Sequence, residues 1–177
     1  AWAFVAACGA ISGGSLTALD LSNGVIGVEG AAHLGAVLTQ LSALQRVDLS
    51  HNSIDDNGAV FLRDALSTLT TLRCLNFSNN EIGDEGARHV GEALGFMPLL
   101  RSVDLSQNWF GDEGAIHLSA ALGGLLALER IDLRCLHVGR EGWMAVARAA
   151  TALMALNHLN GWAGYRELRA GGAVEVA

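Results

Sequence analysis

LRSVDLSQNWFGDEGAIHLSAALGGL, residues Leu100–Leu125, decides the fold, because its pattern returns along the chain at a constant step of 28 residues. Leucines stand at Leu16, Leu44, Leu72, Leu100, Leu128 and Leu156 without slippage. A second column reads Leu19, Val47, Leu75, Val103, Ile131 and Leu159, and a third reads Leu21, Leu49, Phe77, Leu105 and Leu133 before failing at Gly161. Inside the stretch the apolar period changes. Val103 and Leu105 alternate with Ser102, Asp104 and Ser106, the period-2 pattern of a short strand with one buried face. From Gly114 onward Ala115, Leu118, Leu122 and Leu125 follow helical spacing. Asp112 and Glu113 stand before this helix, where a carboxylate caps free amides and suits the helix dipole, so the spacing predicts a unit of strand, turn and helix.

A strand and a helix of this size cannot cover their own apolar faces, so the units must stack on one another. The unit L-x-x-L-x-L-x-x-N-x-I-G-D-E-G-A resembles the leucine-rich repeat of the ribonuclease-inhibitor-like subclass, as in the repeat regions of NOD-like receptors. The match runs over about residues 16 to 160. This resemblance implies an α/β fold: a right-handed leucine-rich-repeat solenoid, or horseshoe, with a parallel sheet on its concave face and helices on its convex face. It names no ligand. The expected organisation is the helix of an incomplete preceding repeat over 1–15, five repeats over 16–155, and a last strand with a C-terminal cap over 156–177. Residues 1–19 carry no charge, yet their clustered glycines and serines and the repeat register favour a piece of solenoid over a membrane span. The chain is therefore expected to be part of a longer chain or a larger complex.

Two further rows look structural. Asn52, Asn80 and Asn108 end their strands, where an amide side chain can tie loop amides to the neighbouring unit. Gly30, Gly58, Gly86, Gly114 and Gly142 share one place at the helix start, which calls for either positive φ or a close approach. The fifth unit breaks the pattern with Leu136 in the Asn row and Trp143 in a row otherwise held by alanine, and Trp143 is expected to cover the end of the stack.

A formal net charge of −7 with a pI near 5.2 does not fit a nucleic-acid footprint, so the expected partner is a protein, with no nucleic acid and no membrane insertion. Cys8, Cys74 and Cys135 show no paired spacing and read as reduced thiols of an intracellular, cytoplasmic protein. No metal or cofactor signature occurs. His33, His89 and His117 recur at one helix position and read as solvated side chains, and Ser78 and Ser106 lack a triad's spacing. The chain is thus not expected to be an enzyme. GTPase activation, a less favoured role, would need a loop arginine, for which Arg140 is the candidate.

Function is expected in the residues that the repeat does not need. On the sheet side these form ladders: Asp20, Asp48, Asn76, Asp104, Asp132; Ser22, Ser50, Ser78, Ser106, Arg134, Trp162; and Ala18, Arg46, Cys74, Ser102, Arg130, His158. Neighbouring rungs about 5 Å apart bring like charges together, with Arg46 and Arg130 as diagonal counter-charges. The expected protein-binding residues of this non-catalytic scaffold are therefore Asp48, Asp104, Asp132, Arg46, Arg130, Arg134, Trp109 and Trp162. The alternative is a structural subunit of a large multiprotein assembly, held through convex helices that present Val60, Phe61, Phe96, Ile116 and Met144.

Overall fold

The constant step becomes a constant strand register in the computed structural model, which describes residues 16–134, 136–153 and 155–161. Six strands alternate with five helices in chain order: β1 (Ala18–Asp20), α1 (Gly27–Leu38), β2 (Arg46–Asp48), α2 (Asp56–Ser67), β3 (Cys74–Asn76), α3 (Asp84–Leu94), β4 (Ser102–Asp104), α4 (Asp112–Leu122), β5 (Arg130–Asp132), α5 (Arg140–Thr151) and β6 (His158–Asn160). All strands are parallel and lie in sequence order in one sheet. Each pairs with the next in the register Leu19↔Val47, Val47↔Leu75 and onward to Ile131↔Leu159. Each helix packs chiefly on the helices of the flanking repeats, the nearest-neighbour arrangement of a solenoid.

The apolar columns are the core. Leu44, Leu72, Leu100 and Leu128 are fully buried, as are Leu49, Phe77 and Leu105 of the third column. A further column at the turn, Ile54, Ile82 and Phe110, closes the space between strand and helix. Where the third column fails at Gly161, Trp143 compensates. A Cβ added to Gly161 would lie 2.5 Å from the Trp143 ring, so the indole from α5 occupies the volume that a leucine fills in the inner repeats. The first fifteen residues, everything from 162 onward, and therefore Trp162 and Cys8, fall outside the described residues, as does Cys135.

Two rows of polar side chains stitch the repeats together. Asn80 accepts from the backbone amides of Asn52 and Ile54, both at 3.0 Å, and donates to the carbonyls of Leu49 and Phe77, both at 2.9 Å. Asn52 and Asn108 make the same kind of bridge, each to the repeat before its own. All three are buried, so these bonds satisfy loop groups that water cannot reach.

The second row corrects the expected capping. Asp112 does not cap its own helix: it is the first residue of α4, and its Oδ1 accepts from the amides of Gly139 and Gly142 in the next repeat, at 2.6 and 3.0 Å. Asp84 serves Gly111 and Gly114 likewise, and Asp56 serves Gly83 and Gly86. The carboxylate reaches across because a glycine faces it. A Cβ on Gly86 would sit 2.5 Å from Asp56 Oδ1, and one on Gly142 would sit 2.7 Å from Asp112 Oδ1. Close approach, not positive φ, is what this glycine row requires; among the described residues the positive-φ glycines are Gly27 and Gly161. The first repeat has Val28 in the carboxylate's place, and α2 is capped by its own Asp55, which accepts from Gly58 at 2.9 Å.

Candidate protein interface

The sheet face presents the side chains at alternate strand positions. In the aspartate ladder each carboxylate first closes a local turn. The amide of Ser22 donates to Asp20, those of Ser50 and Ser106 donate to Asp48 and Asp104 at 2.9 Å, and that of Arg134 donates to Asp132. The Ser22 amide holds the Asp20 carboxyl below its ordinary value. The serines were expected to face solvent, but Ser50 and Ser106 are buried, each hydroxyl donating to its aspartate at 2.6 Å.

The expected diagonal counter-charges are replaced by amides within the ladder. Asn76 donates to Asp48 Oδ2 and Asn160 donates to Asp132 Oδ2, both at 3.0 Å. Every third rung is thus an asparagine that interrupts the run of negative charge; the Asn160 rung is the least legible in the sequence, because it lies in the copy where the leucine pattern fails at Gly161. Arg130 does not neutralise Asp132. Arg134 does, through Nε to Oδ1 at 2.9 Å and Nη2 to Oδ2 at 2.8 Å. Burial pushes the Asp132 carboxyl up, but the Arg134 and Asn160 bonds outweigh it and hold the group below its ordinary value. Arg46 and Arg130 are exposed and, among the described residues, their side chains form no hydrogen bond or ion pair. The face therefore combines half-buried Asp48 and Asp104, buried Asp132 with its exposed partner Arg134, and two uncommitted guanidinium groups.

Trp109 lies beyond the carboxyl end of β4 and is 59% exposed. It lines a depression of about 310 Å³ with His51, Ser53, Asn79, Asn80 and Glu81. Asn79 Nδ2 and His51 Nδ1 are 2.6 Å apart on its wall. Columns 51/79 and 53/81/109 were visible in the sequence, but adjacency across the turns depends on the loop path.

The helix side differs from expectation at three points. His89 is buried, not solvated, with Glu85 Oε1 at 3.3 Å, Glu92 Oε2 at 3.5 Å and Arg88 Nη2 at 3.0 Å. Arg88 also binds Glu85 and Glu92, and its hydrogen bonds bring the Glu85 carboxyl down to about 2. Val60, Phe61, Phe96 and Ile116 are exposed, whereas Met144 is half-buried. Arg140 is the first residue of α5, so it is not carried on a loop. Among the described residues, no group of three or more side chains could hold a metal ion, and no helix is long and apolar enough to cross a membrane.

Comparisons with known proteins agree with this geometry. The C-terminal domain of tropomodulin from Caenorhabditis elegans superposes with a TM-score of 0.69 at 16% identity, covering 94% of this chain and 96% of that one. Actin-binding site 2 of leiomodin-1 superposes with a TM-score of 0.59 at 17% identity, over 84% of this chain and 86% of that one. An internalin from Listeria monocytogenes, 25% identical, gives a TM-score of 0.51 over 70% of this chain but 30% of its own length. No curated protein matches the chain. A family model described as a leucine-rich repeat matches residues 15–35, 40–62, 68–90 and 96–119, over half of the sequence. With strand pairing that keeps one register from β1 to β6, the chain belongs to the leucine-rich repeat family.

Proposed function

We propose that the chain is a non-catalytic protein-interaction module that binds a protein partner through its concave sheet face. The observation that carries this reading is the pair Arg46 and Arg130. The repeat does not need them, they stand exposed on β2 and β5, each one strand in from an edge of the sheet, and neither side chain is spent on an internal ion pair among the described residues. With Asp48, Asp104 and the Asp132–Arg134 pair they make a surface of alternating sign, which favours a partner of complementary pattern over a uniformly charged one. Trp109, exposed in the turn that follows β4, adds an aromatic anchor of the kind enriched in binding hot spots. In leiomodin-1 a domain of similar fold is an actin-binding site, which shows that the scaffold suits protein surfaces; this chain's own face sets its partner.

The experiment is affinity capture from the native source, at low and high salt, with the unaltered chain and with Arg46→Glu/Arg130→Glu. Proteins held by the former and lost by the latter at low salt are partners of this face, and their retention should weaken as salt rises. Recovery that is the same for both chains rejects the reading. The second reading, an assembly subunit held through its helices, is favoured by exposed Phe96, Leu99 and Leu126 in the loops that follow α3 and α4. Retention independent of salt and of the arginines, but lost with Phe96→Ser/Leu126→Ser, is its signature.

A further inference from the structure

We propose that the depression walled by Trp109 and Glu81 is a receptor for one arginine side chain of the protein partner. This goes beyond the sheet-face reading by naming a partner residue and where it is held; it rests on that reading only in taking the ligand to be a protein.

The argument begins with what the cavity leaves unused. The Glu81 carboxylate forms no hydrogen bond or ion pair among the described residues, although it lines the depression. Trp109 shares that wall, one repeat further on in the same turn column. Its backbone is fixed by its amide donating to Ile82 at 2.9 Å, while its ring remains largely exposed. Asn79 Nδ2 is directed to His51 Nδ1, which leaves the Asn79 Oδ1 as an acceptor, and the Ser53 hydroxyl is also uncommitted. The residues that carry this carboxylate, amide oxygen and hydroxyl therefore line one depression together with an indole. The Glu81 carboxylate is the one formally charged side chain of that lining, to which no lysine or arginine belongs, so the lining suits a cation.

The planar guanidinium fits better than an ammonium. It can stack on the indole while its fork donates two parallel bonds to Glu81, and its remaining N–H groups can reach Ser53 and Asn79. A quaternary ammonium would call for an aromatic cage, and here the indole is joined only by the His51 imidazole, which is already engaged with Asn79. The chain's negative net charge favours the approach of a basic segment.

The test is a titration of the intact chain with the peptide acetyl-Gly-Arg-Gly-amide, its lysine counterpart and its citrulline counterpart, followed by NMR at the Trp109 indole N–H. The arginine peptide is expected to shift that resonance saturably, the lysine peptide to bind several-fold more weakly, and the neutral citrulline peptide at least about tenfold more weakly. Glu81→Gln should weaken the arginine peptide about tenfold. Trp109→Ala, read through the Asn79 side-chain amide, should abolish saturation. Both residues are surface side chains, and an unchanged melting temperature confirms that the variants fold. Equal binding of arginine and citrulline peptides, or no effect of Glu81→Gln, overturns the proposal. Arg130→Glu separates it from the sheet-face reading. If that change alters the titration while Glu81→Gln does not, the cation sits on the sheet and the pocket is wrong. If Glu81→Gln weakens binding and Arg130→Glu is silent, the pocket stands whatever becomes of the sheet face.

Discussion

Asn80 shows how much of the fold rests on single side chains. Its amide serves two donors and two acceptors in buried loops, and alanine would leave three of the four without partners, since Asn108 also donates to the Phe77 carbonyl. Each buried unsatisfied group costs roughly 1–3 kcal/mol, and partial relaxation returns some of it, so Asn80→Ala should cost about 3 kcal/mol in urea denaturation. Asn80→Asp should be nearly as harmful near neutral pH, since a carboxylate keeps the acceptor side and loses the donor side. Asp132 makes a pH prediction of definite sign. Its carboxyl is held below its ordinary value in the folded chain, so the unfolded chain binds more protons in acid. The stabilisation is complete above the unfolded carboxylate pKa of about 4 and is lost as pH falls through the lower folded value. Asp132→Asn should reduce stability near neutral pH and flatten the acid limb of a plot of denaturation midpoint against pH.

Each helix start is an agreement between two repeats. Asp84 belongs to α3 but caps the start of α4, so Asp84→Ala should cost about 1 kcal/mol. The loss should appear as faster hydrogen exchange at the amides of Gly111 and Gly114, with the first turn of α3 unaffected. If exchange rises instead in the first turn of α3, the cap is local after all. The first repeat offers the converse. Val28→Asp alone should destabilise, because the Asp55 side chain stands where the other units have a glycine such as Gly83, whose added Cβ would already crowd Asp56 at 2.9 Å. Val28→Asp combined with Asp55→Gly rebuilds the cross-repeat cap, so the double variant should recover about 1–2 kcal/mol relative to the sum of the single changes. A double-mutant cycle by thermal or chemical denaturation measures that coupling.

A solenoid keeps its stability in the interfaces between neighbouring units, so its ends need a substitute for the missing neighbour. Within this stack, where the leucine column fails at Gly161, Trp143 reaches over that glycine beside the carbonyl of Leu133. Trp143→Ala should cost about 3 kcal/mol, and exchange should rise first at the amides of β5 and β6 that pair there. Gly161→Ala should be harmful by a different route, since its φ of +127° suits glycine and the new methyl would strike the indole. The charged cluster of Arg88, Glu85, Glu92 and His89 divides the helix side, so exposed Phe61 on α2 and Ile116 on α4 are not continuous with one another. This weakens the case for one broad apolar interface there and leaves the loops after α3 and α4 as the candidate for such contacts.

Repeat length, strand and helix order, the apolar columns and the asparagine row were all legible in the residues. Each is set by a local rule, a period of 2 or 3.6 or a unit too thin to bury itself, and copying that unit makes one local solution global. What lay beyond that reading depends partly on neighbours 26 to 31 positions away meeting across a turn, and partly on which way a polar side chain turns within its own repeat. Only the folded stack decides that Asp112 caps the following helix, that Ser50 and Ser106 turn in on their aspartates, that His89 is buried among charges, and that Glu81 stands beside Trp109. A periodic sequence states which column a residue occupies. The direction in which a polar side chain spends its hydrogen bonds is a choice between its own repeat and the next, made for the aspartate row by the room that a missing Cβ leaves open.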